Sequence, residues 1–147
     1  MSGKIIGYTT GVFDLFHIGH LRVLQRARAN CDYLIVGVTT DDLVMQRKLK
    51  RPMIGYADRI EIVKALRCVD EVVPQADMDK LSAFFRLGFH RMFVGSDWRG
   101  TPAWVEYERE LAPYGAKIIY LPHTDGISST IIAEQIREIE SEAGGKA

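Results

Sequence analysis

The chain carries 147 residues, 19 of them basic and 19 acidic, with 47% hydrophobic residues and two cysteines. That length suits one compact domain, which at this size buries roughly 68–70% of its unfolded surface. A formal net charge of zero provides no general attraction to nucleic acid or to a membrane surface, so any anion site must be local.

In chain order, the apolar run 5–8 predicts a first strand and 9–20 its exit loop, after which Leu21, Leu24 and Ala27 recur at helical spacing. A second strand is predicted at 33–38. The acidic pair Asp41-Asp42 follows, then the cationic segment 46–52, Gln-Arg-Lys-Leu-Lys-Arg-Pro, predicted as a mobile loop. Ile60, Val63 and Leu66 mark the next helix, 71–73 the third strand, Leu81, Phe84 and Phe85 another helix, and 92–94 the fourth strand. Trp104, Tyr107, Leu111 and Tyr114 repeat the helical spacing before a fifth strand at 117–121. Ile132, Ile136 and Ile139 mark a last helix, and the tail 142–147 is expected to be flexible.

Strands alternating with crossover helices predict an α/β fold: a single-domain, Rossmann-like, doubly wound five-stranded parallel sheet with helices on both faces. The ligand crevice of such a sheet lies at the carboxyl ends of its strands, near the switch point. The exit loop of the first strand is placed there. Neither Cys31 nor Cys68 belongs to a Cys-x-x-Cys pair, and no basic-then-apolar leader or apolar stretch of about 18 residues occurs. Both thiols are expected to be structural, in a protein of the reducing cytoplasm.

Residues 11–20 read Gly-Val-Phe-Asp-Leu-Phe-His-Ile-Gly-His. A strand, glycine punctuation and a helix start deliver free backbone N–H groups and the positive end of a helix dipole to an anion. With His17 at the helix entrance and His20 one turn on, both imidazoles can donate to one phosphate. The bare His-x-x-His spacing is equally that of a zinc half-site or of two solvent-facing residues. Lys48 and Lys50 in the cationic segment form either a solvated loop or ammonium groups that close over a triphosphate. Arg59 and Arg67, eight residues apart on a predicted helix, share a face, and the fork of Arg67 is expected to reach back toward the crevice. The segment 123–130, His-Thr-Asp-Gly-Ile-Ser-Ser-Thr, supplies helix N-caps and a second candidate phosphate cradle.

These pieces together resemble the nucleotidylyltransferase superfamily, in its cytidylyltransferase branch, and most closely the glycerol-3-phosphate cytidylyltransferases. The matching stretches are the first motif, Tyr33 to Val38, the Lys48-Leu49-Lys50 segment, Arg67 with Val69-Asp70-Glu71-Val72, Gly95-Ser96-Asp97-Trp98, and Thr124 to Ser129. The resemblance implies a catalytic domain over 1–141 that transfers CMP from CTP to a small phosphorylated alcohol, releasing pyrophosphate. It implies catalytic roles for His17, His20, Lys48, Lys50 and Arg67. Nucleotide binding falls to Thr10, Gly11, Val12, Phe13, Asp14, Gly19, Asp97, Trp98, His123, Thr124, Gly126, Ile127, Ser128 and Ser129. Arg59, Lys48 and Trp98 are left for the acceptor, and Asp14 is expected either to orient groups or to sit near a magnesium ion on the triphosphate. A homodimer with no nucleic-acid or membrane partner is also implied.

Two departures bear on substrate. His123 stands where the branch carries arginine, and Asp77-Met78 where a base-stacking tryptophan is usual. Adenylyl transfer from ATP to another small phosphate, and a catalytically weak nucleotide-binding regulator, are the alternatives.

Overall fold

The computed structural model describes residues 3–122. Five strands, β1 (Ile6–Gly11), β2 (Tyr33–Thr39), β3 (Glu71–Gln75), β4 (Arg91–Gly95) and β5 (Lys117–Leu121), alternate with helices α1 (Ile18–Ala29), α2 (Asp41–Lys48), α3 (Tyr56–Lys64), α4 (Lys80–Leu87) and α5 (Pro102–Leu111). All pairings are parallel, in the order β3-β2-β1-β4-β5. This is the doubly wound sheet the sequence predicts. The order reverses beside β1, so the crevice opens between the ends of β1 and β4.

Central strands buried on both faces read as continuous apolar runs. On β2, Leu34, Val36 and Val38 join a core with Leu24 and Ala27 of α1 and Val63 of α3. Ile35 points the other way, into a core with Tyr8, Ala83 of α4, and Trp104 and Leu111 of α5. Pro74 lies in β3, an edge strand, where a missing N–H is tolerated. No helix among the described residues is long and apolar enough to cross a membrane.

Three boundaries differ from expectation, and each bears on the site. β1 continues to Gly11, because Thr10 and Gly11 pair with Gly37 and Val38 of β2. The cationic segment is only partly a loop, since Gln46, Arg47 and Lys48 close α2. That helix starts where Thr40 Oγ1 accepts the Leu43 N–H at 3.2 Å. Asp41 and Asp42 in its first turn and Arg47 and Lys48 in its last complement the helix dipole. Leu49 then ends it in the left-handed region at φ 55°. Finally, α3 stops at Lys64, so Arg59 and Arg67 do not share one helix.

Candidate active site

Between β1 and α1 the chain turns through two left-handed residues, Phe13 at φ 56° and Leu15 at φ 50°. Such backbone is costly for bulky side chains and persists only where the surroundings hold it. The Phe13 ring is buried against Gly11, where an added Cβ would lie 2.8 Å from it. Gly11 is therefore needed for close approach of this ring.

The same turn delivers His17 to the N-cap of α1. Its Nδ1 accepts the Gly19 N–H at 3.0 Å, and His20 Nδ1 accepts the His17 N–H at 3.2 Å. Two imidazoles thus form a reciprocal capping box, satisfying donors a helix start leaves open. The rings stack with centroids 3.9 Å apart. A nitrogen that accepts an N–H carries no proton, so both rings are neutral and bear their proton on Nε2. Burial lowers the His17 pKa; burial, reinforced by His17 and opposed by Asp14, brings that of His20 to about 4. His17 Nε2 is buried without a hydrogen-bond partner among the described residues. A buried donor left open in this way points to a ligand.

His20 lines a cavity of about 350 Å³ together with Thr10, Gly11, Val12, Phe13, Asp14, Lys48 and Lys50. Eight of the residues predicted for the site therefore meet around one space. Arg51 and Met53 also line it; Arg51 belongs to the cationic segment, while nothing in the sequence pattern marks Met53.

Two residues bind this wall to the rest of the protein. Asp14 accepts the Met53 N–H at 2.7 Å and the Ile54 N–H at 2.8 Å, one on each carboxylate oxygen. Asp14 thereby clamps the chain just beyond the cationic segment. Arg59 is fully buried and donates to the carbonyls of Ile54, Val12 and Thr39, and at 2.6 Å to Asp41 Oδ1. Its guanidinium is occupied by three loops and does not face an acceptor, so the expected role in acceptor binding is corrected to a structural one. Burial works to raise the Asp41 carboxyl, but the hydrogen bonds from Arg59 and the Tyr56 N–H, with the charges of Arg59 and Arg51, together outweigh it and hold Asp41 below its usual range.

The remaining predicted residues lie elsewhere. Gly19 is buried in the first turn of α1, its N–H committed to His17. Asp97 and Trp98 are exposed in a short 3-10 turn, Ser96–Trp98, at the carboxyl end of β4, on the crevice side of the sheet. Arg67 is exposed in the turn before β3, where neighbouring Asp70 binds the Leu34 N–H and Arg28. That is the amino edge of the sheet, separated from the cavity by the length of a strand, about 15 Å. The expected reach of Arg67 into the crevice is not met within this chain. His123, Thr124, Gly126, Ile127, Ser128 and Ser129 lie outside the described residues.

The comparisons agree with this geometry. The cytidylyltransferase-like family matches residues 8–135. The chain is 36% identical over 137 residues to the glycerol-3-phosphate cytidylyltransferase of Bacillus spizizenii, a match covering 92% of this chain and 98% of that protein. It is 38% identical over 136 residues to the bifunctional protein HldE of Geotalea uraniireducens, covering 92% of this chain but 27% of that longer protein. A solved structure of a lipopolysaccharide core biosynthesis protein from Thermoplasma volcanium shares the fold, with a TM-score of 0.70 at 22% identity over 85% of this chain and 100% of that one. The family match begins at Tyr8, within the strand that carries the histidine turn, and takes in the whole cationic cavity. The chain is a nucleotidyltransferase and belongs to the cytidylyltransferase-like family.

Proposed function

We propose that the protein transfers a cytidylyl group from CTP to a small phosphorylated alcohol, with glycerol 3-phosphate the leading acceptor. The observation that carries this reading is the pair of neutral, Nε2-protonated imidazoles capping α1 at the rim of a cavity lined by Lys48, Lys50 and Arg51. In this reading a phosphate oxygen of the acceptor forms a bond to the α-phosphorus of CTP as the bond to pyrophosphate breaks. A phosphate monoester is already anionic near neutral pH, so the protein need only position the reactants and stabilise charge.

His17 and His20 supply fixed donors to the reacting phosphate. Such preorganised groups gain strength where water is excluded. Lys48 and Lys50 offset charge on the triphosphate and the acceptor, while Thr10 and the turn from Gly11 to Asp14 form the floor. Asp97, Trp98 and the 123–129 segment complete the nucleotide site in this reading, which also takes the protein as a cytoplasmic homodimer.

Magnesium fits here as a companion of the substrate. Among the described residues no cluster of three His, Cys, Asp or Glu side chains can hold a metal, and both oxygens of Asp14 are occupied by amides. The ion would arrive on the triphosphate and neutralise part of its charge.

The reading is tested by measuring pyrophosphate release with each nucleoside triphosphate against glycerol 3-phosphate, ribitol 5-phosphate, phosphocholine and phosphoethanolamine. Turnover with CTP and a polyol phosphate is the expected result. Turnover with ATP but not CTP would overturn the cytidylyl assignment, and tight nucleotide binding with no pyrophosphate from any pair would replace it with the regulator.

A further inference from the structure

Leu49 stands in a conformation that its side chain disfavours. It ends α2 in the left-handed region at φ 55°, where glycine is the ordinary residue because a Cβ crowds the following carbonyl. Phe13, another left-handed residue, is held by burial of its ring. Leu49 has no such support, for its side chain is 85% exposed. Backbone strain of this kind persists where the neighbouring chain fixes it, and it gathers at functional sites.

The chain on both sides supplies the constraint. Upstream, α2 is anchored by buried Leu43 and Val44, and the Leu49 N–H donates to the Met45 carbonyl at 2.9 Å. Downstream, Pro52 bars continuation of the helix, since its ring would meet the Lys48 carbonyl and it restricts Arg51 to extended backbone. Asp14 then holds the amides of Met53 and Ile54. The turn from helix to clamped stretch has to be completed within these few residues.

Its effect shows in the residues beside Leu49. Val44 and Lys48, one turn apart on α2, line the candidate active-site cavity, and so does Lys50, whereas Leu49 does not. A helix turns about 100° per residue, so a continued α2 would carry Lys50 about 200° round from Lys48, onto the opposite face. The left-handed step ends the helix before that can happen. Two ammonium groups two positions apart in sequence thereby meet one cavity.

We propose that Leu49 is a positioning residue for nucleotidyl transfer: its left-handed backbone, and not its side chain, aims Lys48 and Lys50 together at the bound triphosphate. The proposal rests on the cytidylyl-transfer reading, which gives the two lysines their phosphate partners. Attraction between an ammonium and a phosphate falls with distance and is screened by intervening water, so a lysine turned to the far face of α2 contributes little. A chain that forms the left-handed step only part of the time binds nucleotide more weakly by that fraction. Residue 49 thus sets affinity for the triphosphate without touching it.

The test exchanges leucine for its isomer. Leu49→Ile keeps size and hydrophobicity but moves the branch to Cβ, which makes left-handed backbone a steric outlier. Leu49→Gly and Leu49→Asn accept that backbone readily. Calorimetry gives the Kd for CTP, pyrophosphate release with glycerol 3-phosphate gives KM and kcat, and thermal melting reports folding. Leu49→Ile is expected to raise Kd and KM for CTP about 5- to 30-fold, the population change that one disfavoured left-handed residue produces. Leu49→Gly and Leu49→Asn are expected to bind CTP at least as tightly as wild type and to melt no lower. Lys50→Gln should weaken CTP binding about 10-fold in the wild-type background, but within about three-fold in the Leu49→Ile background, where that lysine is already turned away.

Wild-type Kd and KM for CTP in folded Leu49→Ile overturn the proposal. Weakening of Leu49→Gly to the level of Leu49→Ile also overturns it, by assigning the effect to the side chain, as do equal losses from Lys50→Gln in the two backgrounds. Absence of pyrophosphate release from CTP with every acceptor removes the cytidylyl reading. The binding series, run with the nucleoside triphosphate that the protein binds, then decides the proposal by itself.

Discussion

His17 and His20 cap the same helix through each other: the Nδ1 of His20 holds the backbone N–H of His17, while the Nδ1 of His17 holds that of Gly19. Each ring is locked in one tautomer by a bond that also begins α1. In the proposed reaction the phosphate donor and the helix cap belong to the same ring, so chemistry and local stability cannot be separated at these positions.

Replacing either histidine with alanine is expected to lower kcat by at least about 100-fold, the scale of losing a preorganised transition-state donor. The lost cap should cost about 1 kcal/mol of stability. Pyrophosphate release and urea unfolding on the same preparations check both. Turnover within a few fold of wild type in either variant would remove that histidine from the catalytic machinery.

The folded His20 takes up its proton only near pH 4, below the ordinary value of 6.5 that applies to the unfolded chain. Between those values the unfolded state binds more protons, so this group's contribution to stability is intact above about pH 6.5 and is lost as the pH falls toward 4. Urea midpoints from pH 7.5 to 4.5 should decline more steeply for wild type than for His20→Asn. Parallel profiles would show that His20 is not held neutral.

Arg59 joins the Val12, Thr39 and Ile54 carbonyls and pairs with Asp41. Arg59→Met strands three carbonyls while Asp41, its side chain 43% exposed, can turn to water, and a loss of about 3 kcal/mol is expected. The unfolding free energy measures it directly. A change under about 1 kcal/mol would mean that solvent or a neighbour readily replaces the guanidinium.

Asp14→Asn replaces the carboxylate that accepts two backbone N–H groups beyond the cationic segment. An amide has one accepting oxygen, so one of the two bonds is lost and the other loses its charge assistance. The segment should loosen, with KM for CTP rising several fold and trypsin cutting faster after Lys48 and Lys50. Unchanged cleavage together with unchanged KM would show that the segment is held by other contacts.

The five strands and the helix after β1 are legible along the chain because their signals are local. Val36 and Val38 alternate with Ile35 wherever the chain is placed, and a strand covered on both faces must be apolar on both. The histidine turn is legible for a similar reason: glycine, two imidazoles and the start of a helix lie within ten residues. Even the overlooked α2 had a local signature, in the cap Thr40, the acidic first turn and the basic last turn.

Charged residues were not legible in this way, because the partner that decides what a charge does comes from a distant part of the chain. Arg59 and Arg67 are the same residue type eight positions apart, yet one is wholly buried among three loops and the other stands exposed at the opposite edge of the sheet. Asp14 binds amides 39 and 40 residues away. Lys80 occupies the stripe that Ala83 and Phe84 also help to form on α4, an anomaly visible in sequence, but the indole and phenol that cover it come from α5. Periodicity reports which side of an element meets the core. Whether a buried charge is a clamp or a cation under aromatic rings depends on which oxygens and rings the crossovers bring to it, and those arrive only with folding.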